Sequence, residues 1–328
     1  MFTVDTTRFY VISVLSNPVR YKKRFELYDE FEKHMKDLGA TLITVEIAFG
    51  DRPFVMTQRD DKYDLQVRTD HELWLKENAI NLAIAYLCQI DPDWKYVAWV
   101  DADIHFLNRN IVEETTHQLQ HYDVVQMFSH VTDMGPNLEP LKTMQGFMYS
   151  YVKGGCVPPL GPGYSPYYGR YYGHKKGTFW HPGFAWAARR SALDRITLFD
   201  KAILGSADHH MAMGLIGCAE RSLPKGLNQS YVDSVMNWQE IAEYRLRRNV
   251  GYVPGMITHF WHGSKMNRKY VERWRILIDN QYNPNTDISR DQQGLYRLNY
   301  HHGMRSITLR DQIRQYFRAR HEDSIDVE

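Results

Sequence analysis

A chain of 328 residues that is 43% hydrophobic, 13% aromatic and 24% charged has ample apolar surface to bury, which excludes disorder as its dominant state. Its net charge of +1 excludes a general nucleic-acid coat, which would be strongly basic. The three cysteines, Cys88, Cys156 and Cys218, lie far apart and one must stay unpaired, so they argue against a disulfide framework or a cysteine zinc site and for a reducing cytosol.

Met1 to Leu15 has no basic run leading into a long apolar stretch, as a signal peptide would, and the most apolar segment, Asn81 to Ile90, is too short to cross a bilayer. The expectation is a cytoplasmic protein with no integral membrane contact. Phe9 to Leu15 then reads as a buried strand broken by Asn17-Pro18. Phe25, Tyr28, Phe31, Met35 and Leu38 recur at helical spacing, and Gly39 supplies a stop. Thr41 to Ile47 is a second strand. Thr69 with Glu72 forms a candidate capping box for a helix running to about Cys88. Tyr96 to Val100 is a third strand, Asn110 with Glu113 a candidate helix cap, and Tyr122 to Phe128 a fourth strand. This alternation predicts a mostly parallel sheet flanked by helices, with a ligand beyond the carboxyl ends of the strands.

From Asp133 to Pro182 periodicity is lost in a stretch rich in Gly, Pro and Tyr, including Tyr164, Tyr167, Tyr168, Tyr171 and Tyr172. It reads as one long loop, either an inserted disordered segment or a loop that orders over a ligand. Short helices are expected over Ser191 to Ile196 and Ala207 to Ile216, and a longer one over Ser234 to Arg248. Gly251 to His262 is strand-like, Asn267 to Ile278 helical, and Leu309, Ile313, Tyr316 and Phe317 mark a last amphipathic helix. The organisation expected is a domain over 1–275 and a basic helical extension over 276–328, whose charge suits either a solvated face or a surface that meets phosphates. Removing the chain beyond Ser306 is expected to spare the chemistry.

Three local signals carry chemistry. Asp101-Ala102-Asp103 follows the buried run YVAWV, so two carboxylates fall at the ligand edge of the sheet, where hard oxygens suit Mg²⁺ or Mn²⁺ bridging a diphosphate. In His259-Phe260-Trp261-His262-Gly263-Ser264-Lys265, two imidazoles three apart can share a metal if the backbone turns, and Lys265 can reach a phosphate. Imidazole beside carboxylate favours Mn²⁺ over Mg²⁺. Asp208 opens a predicted helix, where a carboxylate stays ionised and can act as a general base or simply as a cap; His209 and His210 are rival bases.

Taken in order, these motifs resemble the GT-A glycosyltransferases, in particular the β-1,4-galactosyltransferase-like and family-2-like inverting enzymes. The match runs from about Tyr10 to Lys265: Pro18-Val19-Arg20 after the first strand, Lys76 and Asn81 on the helix before the metal strand, Asp101 and Asp103, Pro182-Gly183-Phe184-Ala185-Trp186, Gly205 to Asp208, and His259 with His262. The resemblance implies a Rossmann-like GT-A fold and a metal-dependent transfer of a hexosyl or pentosyl group from a nucleotide sugar, with inversion. It implies Pro18, Arg20, Glu46, Lys76, Asn81, Asp101 and Lys265 on the nucleotide sugar; Asp101, Asp103, His259 and His262 on Mn²⁺ or Mg²⁺; Asp208 as base; and Trp180, Trp186 and His209 as platforms for the acceptor or sugar. Where the relatives carry an acidic run in the catalytic loop, this chain keeps only Asp208, so acceptor identity does not carry over: a glycan, a protein, a small molecule and a modified DNA base all fit. Rival readings are a nucleotidyltransferase or sugar-nucleotide hydrolase on a similar sheet, and a non-catalytic glycan- or DNA-binding module.

Overall fold

The computed structural model describes residues 6–154, 180–270, 272–300 and 303–327. Cys156 and the five tyrosines Tyr164, Tyr167, Tyr168, Tyr171 and Tyr172 lie outside them. In chain order the first half reads β1 (Phe9–Ser16), α1 (Lys22–Asp37), β2 (Thr41–Phe49), β3 (Asp64–Thr69), α2 (Lys76–Ile90), β4 (Tyr96–Val100), β5 (Ile104–Phe106), α3 (Ile111–Gln118), β6 (Val124–Gln126), β7 (His130–Met134), β8 (Pro140–Gly146) and α4 (Phe147–Gly154). The second half reads β9 (Trp180–His181), β10 (Ala185–Arg189), α5 (Arg190–Leu193), α6 (Ala207–Leu215), α7 (Gln229–Leu246), β11 (Val250–Tyr252), β12 (Met256–His259), α8 (Arg273–Asp279), β13 (Ile288–Arg290), β14 (Tyr296–Leu298) and α9 (Met304–Arg318).

Seven strands form the central sheet in the order β3-β2-β1-β4-β10-β6-β11. Its neighbours pair in parallel except around β10, which runs antiparallel to both β4 and β6. Phe9 to Ile12 are all buried, the near-continuous apolar run expected of a strand covered on both faces. The chain winds outward from β1 to β3 and then returns to place β4 on the other side of β1. That reversal opens a crevice at the carboxyl ends of β1 and β4, where ligands settle in open α/β sheets. The Ser13 hydroxyl donates to the Val100 carbonyl at 2.8 Å and ties the two strand ends together. A second sheet, β5-β12-β7-β8-β9, stands beside it, and its parallel β7–β12 pairing sets Asp133 opposite His259.

Local sequence explains the helices less well than the strands. Thr69 ends β3 instead of capping a helix: its hydroxyl accepts from the His71 amide at 3.1 Å, Glu72 pairs with Arg314 and Arg318, and α2 starts only at Lys76. Asn110 precedes α3 without capping it by its side chain; Asn228, by contrast, caps α7 by accepting from the Ser230 amide at 3.0 Å. The stretch expected to be one loop holds β8 and α4. The strand expected over Gly251 to His262 is two strands, split at the residues around Pro254.

The segment over 276–328 shares the core of the sheet. Leu309, Ile313, Tyr316 and Phe317 belong to the same cluster as Tyr10, Ile12, Val45 and Leu75. The turn between β13 and β14 is pinned to α2: Asn78 donates to the Gly294 carbonyl at 3.1 Å and accepts from the Tyr296 amide at 2.9 Å. Among the described residues no helix is long and apolar enough to cross a membrane. Ile313 is fully buried, so Ile313→Ala should lower unfolding free energy by about 2–5 kcal/mol in urea denaturation. A loss below about 1 kcal/mol, typical of a surface substitution, would detach α9 from the core.

Candidate active site

The crevice is a cavity of about 520 Å³, within the range of small-ligand sites. Seven cationic side chains and five carboxylates line it, a surplus that suits an anionic ligand. One end is formed by Asn17, Pro18 and Val19 just past β1, with Arg24 of α1; the floor is the end of β4. The Asp101 amide donates to the Phe184 carbonyl at 2.8 Å, so the chain leaves β4 tethered to the start of β10. The Asp101 carboxylate forms an ion pair with Lys76 at the head of α2. Burial disfavours the Lys76 ammonium, but Asp101, Glu77 and Asp208 outweigh it and raise its pKa. Asp101 is itself pushed up by burial against the pull of Lys76. Glu77, buried beside this pair, is raised to about 7, chiefly by loss of solvent.

Asp103, two residues on, faces the two histidines. The ligand atoms of Asp103, His259 and His262 lie within 4.8 Å of one another. Asp103 Oδ2 is 2.9 Å from His262 Nε2 and 3.9 Å from His259 Nε2, and the two Nε2 atoms are 3.3 Å apart. His259 Nδ1 is 2.8 Å from Asp133 Oδ1. A carboxylate can only accept, so Nδ1 donates to Asp133 and Nε2 is the nitrogen that faces the other two groups. Burial works against the Asp133 charge, but His259 and Lys265 hold its carboxyl well below the usual range. Burial, with Arg268 alongside, lowers His262 to about 3.

This donor set fits a divalent cation. Two atoms each ~2.1 Å from one ion stand roughly 3.0–3.4 Å apart, a range that holds the 3.3 Å separation and lies just above the 2.9 Å one. Asp103 Oδ1 is buried without a partner among the described residues. In the structure Arg268 Nη2 sits 2.8 Å from His262 Nε2 and supplies the positive charge there. Asp101 lies outside the triad because Lys76 holds it.

Across the cavity, Asp208 stands in the first turn of α6, and its Oδ1 accepts from the His209 amide at 2.8 Å. A Cβ on Gly183 would fall 2.5 Å from Asp208 Oδ2, so a larger residue there would displace the Asp208 carboxylate. The flanking Phe184 has φ 76° and Ser206 φ 78°, left-handed conformations that are costly for non-glycine residues and gather at functional sites. Ser206 is held by Arg273 of α8 through its hydroxyl, and Phe184 by stacking on His181 at 3.8 Å.

Of the residues singled out in the sequence, Pro18, Lys76, Asp101, Asp103, Asp208, His259, His262 and Lys265 meet at this cavity. The others do not line it. Arg20 is exposed, at φ 65° in the turn after β1. Glu46 is spent on the 55–57 loop, accepting from the amides of Val55, Met56 and Thr57 and from the Thr57 hydroxyl. Asn81 clamps Leu198 through both its amide and its carbonyl. Trp180 packs against Phe147, Trp186 donates to the Pro182 carbonyl at 2.8 Å from within the core, and His209 is 1% exposed on the buried face of α6. Large aromatics adjoining strands were needed as packing. Sequence reasoning missed Asp133, at the edge of the stretch read as loop, Arg24, Arg268 and Arg273, in or beside stretches read as helix, and Arg320 and Glu322, in the C-terminal extension. For Asp133 no local signal was available, because β7 is only the five residues HVTDM.

No protein-family model matches the chain, and no curated protein sequence matches it significantly. Among solved structures, a nucleotide-diphospho-sugar transferase from Desulfovibrio desulfuricans is 12% identical, with a TM-score of 0.31 over 94% of this chain and 98% of that one. A glycosyltransferase involved in glycosylating the major capsid of PBCV-1 is 9% identical, TM-score 0.30, over 76% and 91%. Mannose-1-phosphate geranyltransferase from Thermus thermophilus is 12% identical, TM-score 0.31, over 76% and 75%. Likeness at this level carries no inference about chemistry.

Burial lowers His209 from 6.5 to about 3 and His210 in the same direction. The unfolded chain therefore takes up protons first as pH falls below about 6.5, and stability drops by about 1.4 kcal/mol per pH unit for each such group until the folded value is reached. Urea midpoints measured from pH 7 to about 4.5 should fall steadily, before most carboxylates titrate. A flat profile would show these rings accessible to solvent.

Proposed function

We propose that the chain is a GT-A-type glycosyltransferase that moves a sugar from a nucleotide-sugar donor to an acceptor hydroxyl, dependent on a divalent metal and with inversion at the anomeric carbon. The observation that carries this reading is the meeting, at the switch point of the sheet, of the Asp103, His259 and His262 donors with a cation-rich cavity and with Asp208 on its far wall.

In this reading Asp103, His259 and His262 hold the ion, with Mn²⁺ favoured over Mg²⁺ by the two imidazoles. The ion supplies neutralisation of the diphosphate leaving group. Asn17, Pro18, Val19 and Arg24 flank the nucleotide, Lys265 and Lys76 face the phosphates, and Asp101 fixes Lys76. Asp208 accepts the proton of the acceptor hydroxyl as its oxygen bonds to the anomeric carbon. The bond from that carbon to the diphosphate oxygen breaks in the same displacement, and the nucleoside diphosphate departs with the electron pair. The walls position reactants and stabilise charge.

Turnover of nucleotide sugars by the full chain tests this. Activity should vanish in EDTA and return with Mn²⁺ more fully than with Mg²⁺. Asp208→Asn should lower kcat by about 10²–10⁴-fold while donor affinity, read by calorimetry, stays near wild type. Full activity in chelator would remove the metal from the mechanism, and near-normal kcat in Asp208→Asn would move the base to another group.

A further inference from the structure

The segment after α9 is built into the wall of the site. Glu322 is 1% exposed and lines the cavity. It pairs with Arg24 of α1, Nη2 to Oε1 at 2.8 Å, and with Arg320. Around it the segment is fastened at several points. Asp323 accepts from the Lys22 and Lys23 amides at the start of α1, at 3.1 and 2.8 Å. The Trp261 indole donates to the Ser324 carbonyl at 2.7 Å. Gly263 lies so close that a Cβ there would fall 2.7 Å from the His321 carbonyl oxygen and 3.0 Å from Glu322 Cα.

These contacts bring Glu322 Oε2 to 4.0 Å from His262 Nδ1. That nitrogen is buried and has no hydrogen-bond partner among the described residues. His262 Nε2 lies between the Arg268 guanidinium, which can only donate, at 2.8 Å and Asp103 Oδ2, which can only accept, at 2.9 Å; a cation held on Nε2 needs its lone pair, which leaves the ring proton on Nδ1. An unpaired buried N–H is costly, and about 1 Å of side-chain movement would give it an acceptor. The other histidine of the triad already has such an acceptor in Asp133.

We propose that Glu322 is a positioning residue for His262: its carboxylate receives the Nδ1 proton, as Asp133 does for His259, and so keeps the Nε2 lone pair turned toward Asp103 and a bound cation. The role rests on the metal-dependent reading of the site. It makes the segment after α9 part of the metal site, where the sequence suggested an accessory surface. Carboxylates that orient metal-binding histidines typically change metal affinity by about 10- to 100-fold when removed.

The test is Mn²⁺ titration of the full chain by calorimetry, with melting temperatures recorded alongside. Glu322→Gln should bind Mn²⁺ about 10- to 100-fold more weakly than wild type, whereas Asp323→Ala, which loosens the same segment without facing His262, should melt lower and bind within about twofold. Equal affinity in Glu322→Gln, or equal weakening in Asp323→Ala, overturns the proposal. If wild type binds no Mn²⁺, the metal-dependent reading fails on its own account. In that case, or if Glu322→Gln does not fold, ¹⁵N NMR of the metal-free wild type decides: a His262 ring protonated on Nδ1 supports the proposal, and one protonated on Nε2 overturns it.

Discussion

The hydrogen bond between Asp133 and His259 fixes where one proton sits, and the rest of the site is arranged around that choice. With Nδ1 committed to Asp133, Nε2 is the nitrogen left for a ligand, and it faces a space shared with Asp103 and His262. The bond exists because β7 and β12 pair in parallel in a register that sets Asp133 opposite His259. Lys265, six residues beyond, closes on the same carboxylate and offsets its buried charge. Removing one partner from such a buried pair leaves an uncompensated charge, which is far costlier than the pair is worth as a unit.

The same economy runs through the cavity. Many of its charged groups are held in place by a partner: Asp101 by Lys76, Glu322 by Arg24 and Arg320, while Arg273 holds the Ser206 hydroxyl. Buried charge pairs are weak contributors to stability. Here they order a surface whose surplus of positive charge awaits an anion. The left-handed Phe184 and Ser206 fit the same account. Phe184 brings the Gly183 backbone against Asp208, and Ser206 starts α6 so that Asp208 falls in its first turn. Apolar packing elsewhere carries the strain.

Much of the sheet was legible because strands buried on both faces read as apolar runs: FYVISVL and YVAWV mark β1 and β4, and with them the position of the crevice. The Asp-x-Asp and His-x-x-His pairs were legible because polar residues directly after such runs have few structural uses. Other parts were hidden for physical reasons. Strands of three to five residues, such as β5 and β7, are too short to show alternation. Glu46 and Asn81 look like binding residues in sequence, yet their polar atoms satisfy loop backbones that only the tertiary fold brings near. Arg24 and Glu322 sit 298 positions apart, a pairing no local pattern announces. The basic surplus toward the end of the chain reads as surface, but its charges include Arg320, which is 4% exposed and faces the site.

The account stands on one ion position. Crystals of the full chain soaked in Mn²⁺, with diffraction collected on the manganese absorption edge, would show it most directly. The account predicts a single strong anomalous peak between the Asp103 carboxylate and the Nε2 atoms of His259 and His262, with Arg268 displaced from His262. A peak held elsewhere in the cavity, or a triad that stays free of manganese with Arg268 still on His262, would contradict it.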